Sequence, residues 1–231
     1  MVSKGQKKIN RSYGRGKHVR VKTARGRKMS STLWLQRQLN DPFVREAQRL
    51  GYRSRAAFKL LELDDRYRFL KKGARVVDLG AAPGGWSQIA KDRVGNSGSV
   101  VALDLASIQP LPGVDIIEVD FFSEQSQALI VSKIGTEVDV VLSDMAAPST
   151  GHTSTDHLRI MSLAEAAYDF ARPRLAKGGT FVTKVFQGGT DRDLLKILKR
   201  DFATVRHAKP KSSRVESAEM YMVAMGSKIK D

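Results

Sequence analysis

Arg75-Val-Val-Asp-Leu-Gly-Ala-Ala-Pro-Gly-Gly-Trp86 joins a short apolar run to a glycine-rich turn, and the turn to residues that can open a helix. Val76 and Val77 are β-branched and favour a covered, pleated strand. Gly80, Gly84 and Gly85 tolerate positive φ and let a backbone approach another group with no Cβ in the way. Such a turn suits a nucleotide-like cofactor, yet it is not the dinucleotide pattern G-x-G-x-x-G. Gly80 is followed by Ala81, Ala82 and Pro83, which leaves no pyrophosphate-wrapping turn of the usual kind. We read it as a turn for S-adenosyl-L-methionine. A glycine-rich connection that merely packs closely would have the same composition, so the neighbouring chain has to decide.

Downstream, apolar β-rich runs alternate with helical patterns: strand 99–104, strand 114–119, helix 123–134, strand 138–143, helix 156–175 and strand 179–186. Alternation of this kind predicts an α/β fold, a mostly parallel sheet with helices on both faces. The ending differs. Phe202 to His207 and Glu219 to Met225 both read as strands, and the loop Ala208 to Ala218 between them is too short for a crossover helix, which predicts an antiparallel pair. The expected architecture is a Rossmann-like, seven-stranded sheet with one reversed strand. Upstream, Asp41 to Leu50 reads as a helix capped by Asn40 or Asp41, with Pro42 in its first turn and Gly51 at its end. Ser54 is expected to cap a second helix, in which Ala57, Leu60, Leu61 and Asp64 share a face and Lys59 points elsewhere.

In an open α/β sheet, ligands bind beyond the carboxyl ends of the strands, where the strand order reverses. Asp104 closes its strand about twenty residues past the glycine turn, a position from which a carboxylate can bind both ribose hydroxyls of an adenosine. Asp120 follows the next strand. Each aspartate could equally cap a helix or start a turn. Asp78 could hold the amino-acid end of a cofactor or brace the turn, and both readings stand. Ser143-Asp144-Met145-Ala146 closes the fourth strand, expected beside the first, so Asp144 should face the methyl donor. Lys184 ends the apolar strand Phe181-Val-Thr-Lys-Val185, where a bare ammonium would be costly and a partner is expected. Glu219, at the start of the last strand, reads by itself as a solvated edge-strand acid. The loop Ala146 to Thr155, rich in Ser and Thr, reads as a flexible cover that touches substrate. His152 and His157 read as solvated loop residues outside the catalytic set.

Charge points to the partner. The 231 residues carry 40 Lys and Arg against 24 Asp and Glu, a net charge of +16, so a polyanion is the natural ligand. Residues 1–40 hold twelve of those cations and no acid, leaving 28 against 24 for the remainder. Residues 1–31 are too polar to bury a core and read as a disordered, RNA-contacting arm ahead of one domain, 32–231; Trp34 and Leu35 mark where that body begins. There is no cysteine, which excludes disulfides, thiolate catalysis and cysteine-ligated zinc. Four scattered histidines give no metal pattern. No run is long and apolar enough for a bilayer, and the basic start lacks the apolar segment of a secretory signal. The expectation is a cytoplasmic protein.

Asp78 to Trp86, together with Tyr52-Arg-Ser-Arg-Ala-Ala-Phe-Lys59, Ser143-Asp-Met-Ala146, Lys184-Val-Phe-Gln-Gly188 and Ser212-Ser-Arg214, resembles the FtsJ-like ribosomal RNA 2′-O-ribose methyltransferases over roughly residues 40 to 227. The resemblance implies a class I S-adenosylmethionine-dependent methyltransferase acting on a uridine ribose of large-subunit ribosomal RNA, as a monomer and without a metal. The family's lysine, aspartate, lysine, glutamate set falls on Lys59, Asp144, Lys184 and Glu219. Its cofactor residues fall on Asp78, Gly80, Ala81, Pro83, Gly84, Gly85, Trp86, Asp104, Asp120, Phe121 and Asp144, with Asp120 at the adenine amino edge and backbone around Phe121 fixing the ring. A ribose hydroxyl is a poor nucleophile at neutral pH, so it needs a base or strong hydrogen-bond help, held in line with the methyl. Desolvation and nearby cations lower a lysine pKa while Asp144 and Glu219 raise it; sequence leaves that balance open.

Overall fold

Seven strands form one sheet among the described residues of a computed structural model, which describes residues 19–21, 25–135, 137–187 and 192–228. The chain forms two compact units, Met1–Gly51 and Tyr52–Asp231.

In the first unit α1 (Met29–Asn40) precedes α2 (Pro42–Leu50). Asp41 caps α2 by accepting from the Phe43 amide at 3.0 Å, Pro42 sits in the first turn, and Gly51 ends the helix at φ 74°. Val19 and Val21 are tied to α1. The Val19 amide donates to Asn40 Oδ1 and the Val21 amide to Gln36 Oε1, while both side-chain amides donate back to the Val19 carbonyl. The helix therefore begins inside the stretch read as an arm, and Trp34 and Leu35 lie within it. Residues 1–18 and 22–24, the bulk of that arm, fall outside the described residues.

The second unit runs α3 (Ala57–Tyr67), β1 (Arg75–Leu79), α4 (Gly85–Val94), β2 (Ser99–Asp104), β3 (Asp115–Glu118), α5 (Glu124–Ile134), β4 (Val138–Ser143), α6 (Thr153–Ala171), β5 (Leu175–Phe186), α7 (Arg192–Asp201), β6 (Phe202–Ala208) and β7 (Glu219–Ser227). The sheet order is β3-β2-β1-β4-β5-β7-β6. β7 is antiparallel to both neighbours and the remaining pairs are parallel. Because successive side chains point to opposite faces, Val77, Leu79, Val101, Leu103, Val141 and Phe181 pack on one side with α5, α6 and α7. Val76, Val100 and Val140 are buried on the other, where α4 lies on β1 and β2 and α3 packs on α4.

Four differences from the expected elements have simple causes. Ser54 does not cap α3; the helix starts at Ala57, whose amide bonds to the Ser54 carbonyl. α6 runs from Thr153 to Ala171 and β5 starts at Leu175, earlier than the expected 156–175 and 179–186, and His157 lies in the helix. α7 has no counterpart among the expected elements, although Leu194 and Leu198 are buried at i, i+4; its basic outer face hides that period. Glu219 is not on an edge, because β7 inserts between β5 and β6. Among the described residues no helix is long and apolar enough to cross a membrane.

Candidate active site

The glycine turn is held from below by β2: the Gly80 and Ala81 amides both donate to the Leu103 carbonyl, at 2.9 and 3.0 Å. Gly80 is required by its neighbour, since a Cβ there would lie 2.8 Å from the Met145 Cα after β4. A Cβ on Gly85 would strike Ser54 Oγ. These glycines thus let two protein segments close on the turn, a use distinct from approach to a ligand. Arg53 clamps the outer side, donating to the carbonyls of Pro83, Gln109 and Pro110. Sequence reasoning singled out Lys59 in the segment Tyr52 to Lys59 and missed this bracing by Arg53.

Acids gather at the strand ends around the turn. Asp78, at the end of β1, is fully buried. Ser87 Oγ donates to its Oδ2 at 2.6 Å, and its Oδ1 has no hydrogen-bond partner. Burial pushes the Asp78 carboxyl up to about 7, and the negative charges of Asp144 and Asp104 act in the same direction against the Ser87 bond. Asp104 accepts from the Ala82 amide and the Ala106 amide, both at 2.8 Å, so one oxygen braces the glycine turn and the other the following loop. Asp120 accepts from the Phe122 amide at 3.0 Å. The turn-forming alternative is therefore realised at both positions, with lone pairs left over on each carboxylate. Phe121 is buried against Phe170 and its carbonyl accepts from Ser126 Oγ, whereas the next ring, Phe122, is 64% exposed. Trp86 is buried too, its Nε1 donating to the Ala56 carbonyl and its ring 5.4 Å from that of Tyr221.

Beyond the turn the four residues of the lysine, aspartate, lysine, glutamate set converge. Lys184, a buried residue of β5, donates through Nζ to the Asp144 carbonyl at 2.7 Å and to Asp144 Oδ1 at 3.0 Å. Lys59 on α3 pairs with Glu219 on β7 at 2.7 Å. Tyr221 joins the two pairs: across the β5–β7 register from Lys184, it donates its hydroxyl to Asp144 Oδ1 at 2.8 Å, and the Lys59 ammonium lies 5.8 Å from its ring centroid. Burial alone would raise the Asp144 carboxyl. The charges of Lys184 and Lys59 and the bonds from Lys184 and Tyr221 outweigh it and hold the group below the usual carboxylate range. Burial and the nearby Asp144 and Glu219 charges raise Tyr221 well above an ordinary phenol, which keeps it a donor.

Tyr221 and Ser213, which donates to Glu219 at 2.9 Å, were missed by sequence reasoning. Tyr221 had only strand alternation to mark it, while Ser213 lay in a quoted motif without a role. The loop after β4 is anchored where it enters α6: Asp156 accepts from Ser149 Oγ, the Thr150 amide and Thr150 Oγ1. Those bonds hold its carboxyl below the usual range. His152 is exposed, and His157 packs 6.3 Å from the Phe186 ring with Nε2 unsatisfied. Among the described residues, neither histidine is hydrogen-bonded to the cluster.

The sequence profile of the FtsJ-like methyltransferase family matches residues 52–227. The chain belongs to this family. Relatives extend the likeness beyond the matched segment: a ribosomal RNA large subunit methyltransferase E from Paramagnetospirillum magneticum is 56% identical over 98% of both chains. One from Parvibaculum lavamentivorans is 59% identical over 91% of this chain and 87% of its own. Among solved structures, a Plasmodium falciparum protein described as a ribosomal RNA methyltransferase superposes with a TM-score of 0.69 at 32% identity, over 76% of this chain and 98% of its own. The second unit holds the segment matched by the family, every described strand, and all four residues of the Lys59–Glu219 and Lys184–Asp144 pairs.

Proposed function

We propose that this chain methylates the 2′-hydroxyl of a uridine in large-subunit ribosomal RNA, with S-adenosyl-L-methionine as donor, in the cytoplasm, as a monomer and without a metal. The observation that carries the reading is the Lys184 ammonium docked on Asp144 at the strand ends beside the glycine turn.

The residues present fit the donor. Four carboxylates, Asp78, Asp104, Asp120 and Asp144, lie at the ends of adjacent strands, and the unpaired Oδ1 of buried Asp78 suits a cationic group. Asp104 and Asp120 have lone pairs for ribose and adenine donors. When bound, S-adenosylmethionine supplies a methyl group on a sulfonium. An ammonium has three N–H donors, and Lys184 spends two on Asp144; the third direction, with no partner among the described residues, would steer the ribose hydroxyl or, from the neutral amine, accept its proton at Nζ. Asp144 fixes that nitrogen. Lys59 and Glu219, with Ser213 behind them, organise the hydroxyl from the other side. With the donor bound, transfer of its methyl to the ribose oxygen would release the hydroxyl proton, which Lys184 Nζ would take or pass to water. Holding the hydroxyl in line with the methyl and within reach of its base is where such a site gains most of its rate.

Mapping ribose methylation across total RNA from cells with and without this protein tests the reading. Loss of one 2′-O-methyluridine in large-subunit RNA is expected; an unchanged map, or loss only in transfer RNA, overturns it.

A further inference from the structure

The opposite end of the central strands carries a second cationic site. β5 pairs with β7 from Lys184↔Tyr221 at the active-site end to Thr180↔Met225 at the other. Four residues of strand separate these pairs, about 13 Å. At the far end lies a cavity of about 530 Å³ bounded by the α3–β1 connection, the start of β4, the first half of β5 and the end of β7. That volume is within the range of built ligand sites, about 300–1,000 Å³.

Its charge is one-sided. Arg68, Lys71, Lys72 and Lys177 line it, and its single acid is Asp139. Asp139 is already neutralised, because Arg75 binds it through its backbone amide at 2.8 Å and through its guanidinium at 3.1 Å to each oxygen. Among the described residues, none of the four lining cations has a carboxylate within salt-bridge distance. The four cations are exposed, with the Lys72 side chain leaning toward Gly95 at the end of α4, and such a run of like charge around a concavity favours a polyanion. Backbone takes up the rest of the wall at Gly178, where a Cβ would meet nothing within 4 Å. Of the two lining aromatics, Phe69 is buried and Tyr67 carries the Arg66 guanidinium 5.1 Å from its ring centroid. The chemistry is that of phosphate binding without base readout.

We propose that this cavity is a second RNA-binding site, taking phosphodiester groups of the substrate RNA at a segment distant from the methylated ribose. The inference rests on ribosomal RNA being the substrate. The site adds affinity and orients a long RNA; it does not choose the nucleotide.

The test compares full-length protein with K71Q/K72Q/K177Q and with a charge-matched control, K133Q/K196Q/K199Q, on exposed positions of α5 and α7. Arg68 is left in place because it ends α3 at φ 54°, and replacing it would mix backbone effects with charge. Binding of protein-free large-subunit ribosomal RNA is measured as a function of salt. Removing one lysine–phosphate interaction lowers the slope of log affinity against log salt by about 0.7–0.9, so the slope of the cavity variant should fall by about 2 and that of the control much less. The single-turnover methylation rate at saturating RNA should stay at the wild-type value. Equal slope reductions in the two variants, or none in the cavity variant, overturn the proposal. Tight calorimetric binding of inorganic pyrophosphate, abolished by the cavity substitutions with RNA affinity unchanged, would overturn it in favour of a site for a small free anion. If the wild-type protein methylates no ribosomal RNA, the functional reading fails on its own, and the salt slopes still report on the cavity.

Discussion

Asp78→Asn replaces a buried carboxylate by a neutral group of the same shape, which can keep the Ser87 hydrogen bond. In the folded chain Asp78 titrates at about 7, against about 3.9 in an unfolded one. Between these values the unfolded chain has released a proton that the folded chain retains, so stability falls as pH rises through this window and the loss is complete above pH 7. Three pKa units correspond to about 4 kcal/mol. The asparagine variant carries no such penalty at any pH. It should match the wild type near pH 4 and exceed it by up to about 4 kcal/mol at pH 8, a rise in Tm on the order of 8–16 °C for a chain of this size. Thermal unfolding of cofactor-free protein at about pH 4.5, 6 and 8 reads the difference across the window. A gap between the two proteins that is the same at all three pH values would refute the reasoning, since Asp78 would then not be titrating in the fold. Calorimetry with S-adenosylmethionine separates the two roles left open for this residue. A carboxylate that holds a cationic end of the donor makes the variant bind roughly ten- to a hundredfold more weakly, whereas a carboxylate that only braces the turn leaves affinity unchanged.

Lys184→Ala should lower the single-turnover methylation rate by about 10²–10⁴-fold while donor binding persists. The Arg variant keeps charge but cannot release its proton in this range, so a near-wild-type rate there would exclude a base role and leave electrostatic steering. Asp104→Ala should weaken donor binding by roughly ten- to a hundredfold and also lower Tm, because the Ala82 and Ala106 amides are left without their acceptor. Unchanged calorimetric affinity would take Asp104 out of the donor site.

The class of fold, and four of the residues that converge at the strand ends, were picked out before any folding was considered; Tyr221 and Ser213 were not. Alternating β-branched runs and helical periods leave a parallel sheet as the economical way to bury both faces, and the ten residues between β6 and β7 allow only an antiparallel return. Local chemistry sufficed for α2 as well: Asp41, Pro42 and Gly51 satisfy its ends wherever the helix lies. Lys59, Asp144, Lys184 and Glu219 were picked out by likeness to a family, because each taken alone has a bland reading.

The pairings among those residues belong to the assembled sheet. Lys59 and Glu219 are separated by 160 positions, and Asp144 and Tyr221 by 77; no local pattern encodes such pairs. They meet because β7 inserts between β5 and β6, which turns Glu219 from a solvated edge acid into a partner and sets Tyr221 opposite Lys184. The same insertion brings the end of β7 to the cationic cavity at the far end of the strands. Strand order is chosen by which apolar faces bury best together, a property of the whole sheet, and so the side chains it gathers are legible only once the sheet is formed.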